Sequence, residues 1–305
     1  MPSTPKNPKV LVSILAYGSI GETLETIACY RKQTYPHFHL QVIDNASPRP
    51  LAPEIKKRFP DLEVIRLEKN GGYTAGNNAA LARGVAEGFD YVLISNHDVV
   101  VSENLISNLV ESAETRPECG VIGVIEKDFA TGRIKAVGGR NFRFWKARGE
   151  WISELPSSNV DALEVDCVQG AVVMFSRRAL EAGIRLDENL FMYCEEFDLS
   201  FQLKEQGLKA YTDLRCQIRH RSSHEHLSPF QGYLLQRNRL YLCRKHGSAS
   251  HFAASLAFAT LIELPIKALL RALQGNPRYA RACLAGFTDA LRGKMGSPEG
   301  AFRFL

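Results

Sequence analysis

Residues 10–44 read VLVSILAYGSIGETLETIACYRKQTYPHFHLQVID. The run VLVSILA at 10–16 is apolar and of strand length, with flanks that do not extend it into a helix. Residues 22–33 place apolar side chains at helical spacing, and the strand at 40–43 stops at Asp44. The same alternation continues downstream: helix 54–59, strand 62–67, helix 74–87, strand 91–95, helix 103–115 and strand 120–125. Repeated β-α-β-α order predicts an α/β fold, a mainly parallel sheet with helices on both faces. Such sheets bind ligands beyond the carboxyl ends of their strands.

From 126 to 165 the pattern breaks into short aromatic stretches punctuated by Gly132, Gly138, Gly139 and Gly149, which reads as hairpins and loops. Order returns with a strand at 168–175, a helix at 195–206, one or two strands at 210–219 and a long helix at 229–246. Two further helical stretches follow, separated near Gly275, Asn276 and Pro277. The expected division is a domain over 1–246 and a helical extension over 247–305.

Composition narrows the classes. At 45% hydrophobic and 23% charged residues the chain is an ordinary globular one. Its seven cysteines are scattered with no C-x-x-C pair, which argues for a reducing compartment rather than a disulfide framework or structural zinc. The first ten residues lack the apolar core of a signal peptide, so a cytoplasmic location is expected. From Arg244 onward nine Lys/Arg face three acids, giving the tail +6 and residues 1–243 a net −1. A nucleic-acid binder would spread cations over its fold; a cationic tail on a near-neutral body suits an anionic surface.

Polar clusters follow several predicted strands. Asp44, Asn45, Ala46 and Ser47 suit either an Asx turn or a carboxylate that accepts from a nucleobase N–H. Asn70-Gly-Gly-Tyr-Thr-Ala-Gly-Asn-Asn78 lets backbone approach a ligand at a helix N-terminus, or simply forms a tight turn; its spacing is not the dinucleotide fingerprint. Asn96, His97 and Asp98 after YVLIS offer an oxygen donor for a hard cation, or a capped turn. Glu195, Glu196 and Asp198 open a helix behind Phe191, Met192 and Tyr193; they suit the helix dipole, or a carboxylate base at a cleft. His220, His224 and His226 form a weak zinc pattern outside a helix, and one of them completing a Mg2+ or Mn2+ shell is the better reading.

In order, VLVSILAY (10–17), DNAS (44–47), NGGYTAGNN (70–78), SNHDVVV (95–101), QGAVVMFSRRAL (169–180), LDENLFMYCEEFDLSFQLKEQG (186–207) and YLLQRNRLYLCRKHG (233–247) resemble glycosyltransferase family 2, in its rhamnosyltransferase-like bacterial branch. The likeness spans roughly residues 9–246. It implies a GT-A fold whose nucleotide-binding sheet is followed by a helical extension. It also implies an inverting, metal-dependent transfer of a sugar, with rhamnose from dTDP-rhamnose first and a UDP-sugar as the alternative. The implied acceptor is a hydroxyl of a lipid-linked glycan such as O-antigen or another surface polysaccharide. Residue by residue, it gives Asp44 to the donor base. Ala16, Tyr17, Asn70, Gly71, Gly72, Asn77 and Asn96 complete the donor pocket. Arg237 goes to phosphate or acceptor, Asp98 and His220 to a Mg2+ or Mn2+ ion, and Glu196 to the catalytic base. Asn96 stands in place of the first acid of the family's D-x-D, and Glu196 in place of the more usual Asp. A sugar nucleotidyltransferase would need a Gly-rich phosphate loop after the first strand, which AYGSIGE at 16–22 does not supply. A non-catalytic sugar-binding protein would not need both Asp98 and Glu196.

Residues 252–270, FAASLAFATLIELPIKALL, have the length of a membrane span but are interrupted by Glu263, Pro265 and Lys267. An interfacial helix with these three facing water, aided by Arg271, Arg278, Arg281, Arg292 and Lys294, is the expected arrangement; packing on the body of the protein is the alternative.

Overall fold

The computed structural model describes residues 7–157, 160–221 and 228–298. In chain order the first elements are β1 (Val10–Ala16), α1 (Ile20–Tyr30), β2 (Phe38–Asp44), α2 (Ala52–Arg58), β3 (Glu63–Arg66), α3 (Gly72–Ala86), β4 (Tyr91–Asn96), β5 (Val99–Val100), α4 (Leu105–Glu114) and β6 (Cys119–Asp128). The short strands β7 (Ile134–Ala136), β8 (Gly138–Arg143), β9 (Arg148–Ile152) and β10 (Ala162–Val165) fill the punctuated region. Then come β11 (Val172–Ser176), α5 (Arg177–Glu181), α6 (Glu195–Glu205), β12 (Lys209–His220), α7 (Pro229–His246), α8 (Ala249–Phe258), α9 (Leu264–Leu273) and α10 (Pro277–Leu291). Two compact units emerge, one from residues within 1–140, 151–186 and 199–222, the other from residues within 141–150, 187–198 and 223–305.

The first unit is built on a ten-stranded sheet ordered β10-β12-β6-β11-β4-β1-β2-β3, with β5 alongside β12 and β7 alongside β6. β1 pairs parallel with β2 and β4, β2 with β3, and β6 with β12, while β11 runs antiparallel between β4 and β6. Every residue of β1 is buried. Val10, Val12 and Ile14 pack with Ile27, Leu105 and Leu109 on one face, and Leu11 and Leu15 pack with Ala80, Leu81 and Leu180 on the other. This two-sided burial explains an apolar run without alternation. α3 lies so close to β1 that a Cβ on Gly76 would come within 2.5 Å of Leu15 Cδ1.

The strand expected at 168–175 begins only at Val172. Val168 is buried and apolar, but the Ala171 N–H is taken by the Gln169 side chain at 2.6 Å rather than by a neighbouring strand. Hydrophobicity reported burial there, not ladder pairing.

The second unit is mostly helical. α7 begins on Ser228, whose hydroxyl accepts from Gln231 N at 3.1 Å, with Pro229 at the first helical position. α10 crosses α7 at glycine: a Cβ on Gly286 would collide with the Tyr233 carbonyl oxygen. Between α8 and α9 the helix widens to a π-turn over Ala259–Glu263, just before Pro265, which has no N–H to give the preceding turn.

Candidate functional site

Strand register assembles one end of the first unit. Ala16 lies opposite Asp44, and Leu15 opposite Asn96, so the carboxyl ends of β1, β2 and β4 meet at one edge. Ala16 is buried, while the Tyr17 ring just beyond it is exposed. Asp44 is fully buried: one carboxylate oxygen accepts from Ser47 N at 2.8 Å, the other from Leu51 N at 3.1 Å and Arg66 at 2.6 Å. Burial alone would raise its pKa; the hydrogen bonds from Ser47, Leu51 and Arg66 outweigh it and hold the carboxyl below the usual range. Asp44 therefore closes the turn in this structure, and a carboxylate has room for about four donors.

Asn45 ties that turn to the glycine loop. Its Nδ2 donates to Asn70 Oδ1 at 3.0 Å and to the Gly72 carbonyl at 2.9 Å, and its Oδ1 accepts from Gly71 N at 3.1 Å. Gly72 has φ +74°, a conformation that favours glycine. Asn77 donates to the Tyr73 carbonyl at 3.0 Å, while its buried Oδ1 has no partner among the described residues. Asn70, Gly71 and Gly72 are thus joined to the end of β2 through Asn45, which the sequence analysis did not single out as a site residue.

Asn96, Asp98 and His220 also come together. β5, which starts right after Asp98, pairs with the end of β12 so that Val99 faces His220, and Arg221 N donates to the Asp98 carbonyl at 3.1 Å. His220 Nε2 lies 3.2 Å from Asp98 Oδ1 and 3.3 Å from Asn96 Nδ2, and its Nδ1 lies 2.8 Å from Glu126 Oε1. Burial lowers the pKa of the ring, but Asp98 and Glu126 more than reverse this and push it up to about 9. Glu126 is the partner the sequence analysis missed; it lies where β6 leaves its regular pattern, in the stretch read as loops. A carboxylate beside an imidazole is a donor set that Mg2+ or Mn2+ accepts when diphosphate and water fill the remaining positions. Among the described residues no group of three or more His, Cys, Asp or Glu is arranged to hold a metal by itself. His224 and His226 lie outside the described residues.

The second unit holds Glu196 and Arg237. Phe191, Tyr193 and Cys194 have φ of 65°, 69° and 72°, a left-handed turn without glycine that must be held by its surroundings. α7 supplies the hold. Asn238 Nδ2 donates to the carbonyls of Leu190, Met192 and Tyr193 at 3.0, 2.8 and 2.8 Å. Arg237, 1% exposed, donates to the carbonyls of Gly296, Asn189 and Leu190 at 2.8, 3.3 and 3.0 Å. The Arg237 guanidinium, expected on phosphate or acceptor, is spent here on main-chain carbonyls.

The turn delivers three acids in different states. Asp198 is buried and bound to Lys245 and His246, each at 2.7 Å. Glu195 is buried, its Oε2 has no partner among the described residues, and burial first, then the charge of Glu196, raises its pKa well above the usual carboxylate range. Glu196 alone of the three is partly exposed.

The model of "Glycosyl transferase family 2" matches residues 12–183, more than half of the chain. An N-acetylglucosaminyl-diphospho-decaprenol L-rhamnosyltransferase of Mycobacterium tuberculosis is 24% identical over 205 residues, covering 59% of this chain and 66% of the relative, just under two thirds of its length. The O-antigen biosynthesis protein RfbC of Myxococcus xanthus is 25% identical over 228 residues, covering 71% of this chain but 17% of that protein. Among solved structures, the mannosyltransferase PcManGT of Pyrobaculum calidifontis with GDP-Man and Mn2+ superposes with a TM-score of 0.58 at 16% identity, covering 94% of this chain and 88% of that one. GalNAc-T7 with UDP, GalNAc and Mn2+ gives 0.62 at 13% identity, covering 87% and 58%. These two likenesses establish the fold. With the strand-end architecture and the family match together, the chain belongs to glycosyltransferase family 2 and has a GT-A fold.

Proposed function

We propose that the protein is an inverting glycosyltransferase that moves rhamnose from dTDP-rhamnose to a hydroxyl of a lipid-linked or surface-polysaccharide glycan. The observation that carries the reading is the carboxyl edge where Ala16, Asp44 and Asn96 end on adjacent parallel strands, with Asp98 and His220 hydrogen-bonded beside Asn96. The rhamnosyltransferase relative supports the sugar and the lipid-linked acceptor. Residues 1–246 are the proposed catalytic domain and 247–305 an extension that serves it, at the cytoplasmic face of a membrane.

Asp44, Asn70, Gly71, Gly72 and Asn77 bind the nucleoside part of the donor, with Ala16, Tyr17 and Asn96 beside them. Asp98 and His220 are the proposed holders of a Mg2+ or Mn2+ ion, which when bound offsets charge on the leaving diphosphate. Glu196 accepts the proton of the acceptor hydroxyl. That oxygen bonds to the anomeric carbon as the bond from carbon to diphosphate oxygen breaks. The electron pair leaves with the nucleoside diphosphate, and the configuration inverts. Arg237 acts through the turn it holds.

Incubation of the purified protein with dTDP-rhamnose, UDP-sugars and an undecaprenyl-type diphosphosugar acceptor tests this. Release of dTDP dependent on both acceptor and divalent cation is expected. Preferential release of UDP would replace the donor, and release of pyrophosphate would replace the reaction class.

A further inference from the structure

Residues 249–271 are long and apolar enough to cross a membrane, with a mean hydropathy of 1.6 over the most apolar window, of which 17% is buried. An amphipathic helix on a water-soluble domain turns its apolar stripe inward. This one keeps a second apolar row outside. Its inward side holds Ser255, Ala259 and Glu263, all buried, with Leu256 and Leu264 packed on Leu240 and Phe287. Its outward row is Leu261 (75% exposed), Ile262, Ile266, Leu269 (62%), Leu270 and Leu273 (76%).

The acid that should interrupt a membrane helix is removed from the outward face. Glu263, 8% exposed, is bound by Lys267 at 2.8 Å, Arg239 at 3.4 Å and Arg148. Lys267 also donates to Gln236 of α7 at 2.9 Å. The expectation that Glu263 and Lys267 face water is therefore corrected: they face the protein, and only Pro265 of the three is exposed. To span a bilayer the helix would have to strip Glu263 of these cations, so it is fixed along the unit's surface.

The surroundings match a charged interface. Trp145, 45% exposed, packs edge-on against Phe258 at 5.3 Å, with Lys146 Nζ 4.5 Å from its ring centroid. Tryptophan and lysine together mark the headgroup level of bilayers. α10 exposes Arg278 and Arg281 along with Leu284 and Leu291, and Arg292, also exposed, follows at its C-cap.

We propose that the outward face of α8–α9, with Trp145 and Lys146, seats in the headgroup–acyl boundary of an anionic bilayer, the helix lying in the membrane plane and the arginines of α10 meeting lipid phosphates. A second copy of the chain would bring the same cations together, whereas anionic lipid neutralises them. This deepens the proposed function, since it brings the enzyme to a lipid-linked acceptor, but the binding itself needs no transfer reaction.

Flotation of the full chain with phosphatidylcholine vesicles, with or without phosphatidylglycerol, tests the proposal. The protein floats with the anionic vesicles. The double substitution Leu269→Asp, Leu273→Asp, both exposed and so harmless to folding as checked by an unchanged Tm, lowers partitioning by about 100-fold, since each leucine contributes roughly tenfold or more on burial. Arg278→Glu with Arg281→Glu weakens binding to anionic vesicles only, and high salt erases that difference. Fluorescence of Trp145, isolated by comparison with Trp145→Phe, shifts to the blue on binding. Flotation unchanged by the leucine substitutions overturns the proposal. So does a dimer that these substitutions convert to monomer without any vesicle binding. Titration of dTDP and UDP into the same variants separates the two readings: vesicle binding without nucleotide binding sinks the transferase reading and leaves the membrane face intact.

Discussion

Asp98 and Glu196 are both carboxylates presented by a turn, and the backbone that presents them differs. Asp98 sits between β4 and β5, and none of residues 95–100 has a left-handed φ. Ladder pairing of β5 with β12 places it beside His220, and the Thr26 hydroxyl donates to the His97 carbonyl at 2.7 Å. Glu196 follows a turn with three left-handed non-glycine residues, which Asn238 and Arg237 hold by five hydrogen bonds to carbonyls of residues 189–193. A sheet edge positions a residue largely with bonds the fold makes anyway. A strained turn depends on a few side chains from elsewhere in sequence, so it is open to disruption by a single substitution.

The largest effect is expected at the proposed base. Glu196→Gln should cut kcat by about 10²–10⁴-fold and leave donor affinity unchanged. A change confined to KM would make Glu196 a binding residue and leave Glu195 or Asp198 as the candidate base. Next comes the sheet-edge carboxylate: Asp98→Ala should lower kcat by about 10²–10³-fold, and cation-dependent binding of the nucleoside diphosphate should disappear in calorimetry. Full activity of the unmodified enzyme in EDTA would remove the metal from this site.

Asn238→Ala sharpens the contrast between the two regions. It removes one donor from each of three carbonyls, of which Leu190 keeps Arg237, and should cost roughly 2–4 kcal/mol in denaturant unfolding. At temperatures where the fold persists, kcat should fall while donor KM stays, because the turn rather than the nucleotide end has moved. The Asp98 turn keeps its ladder bonds and Thr26 when Asn96 is truncated, so Asn96→Ala should lower Tm far less. The smallest effect expected is nucleotide choice: UDP and dTDP should bind about tenfold more tightly than GDP or ADP if Asp44 reads an imide N–H, a difference of roughly 1.4 kcal/mol. GDP binding tightest would reassign Asp44 wholly to the turn it closes.

The alternation of β1 through β6 with helices was legible because the buried strands are short, largely apolar runs such as VLVSILA, and two of them stop at a polar residue, as in FHLQVID and YVLISN. The polar clusters at those strand ends, on which the proposed site rests, were legible for the same reason. Glu126 was not, because it lies where β6 runs on past its apolar stretch into EKD. Arg66 was not, because an arginine ending a short strand signals nothing until register sets it opposite Asp44. The left-handed turn at 191–194 carries no glycine, so nothing in its residue types announced it.

Sequence by itself determined which residues share a strand or a helix face, since the periods of 2 and 3.6 follow from local backbone geometry. At 3.6 residues per turn an unbroken helix would carry Ile266, Leu269 and Leu273 on the same side as Ser255 and Ala259, and it is the π-turn over Ala259–Glu263 that rotates them outward. Only the tertiary structure decided which side turns inward. Arg148, Arg239 and Lys267 converge on Glu263, which as a buried charge needs partners, and these partners come from elements that only the folded chain brings beside α8–α9.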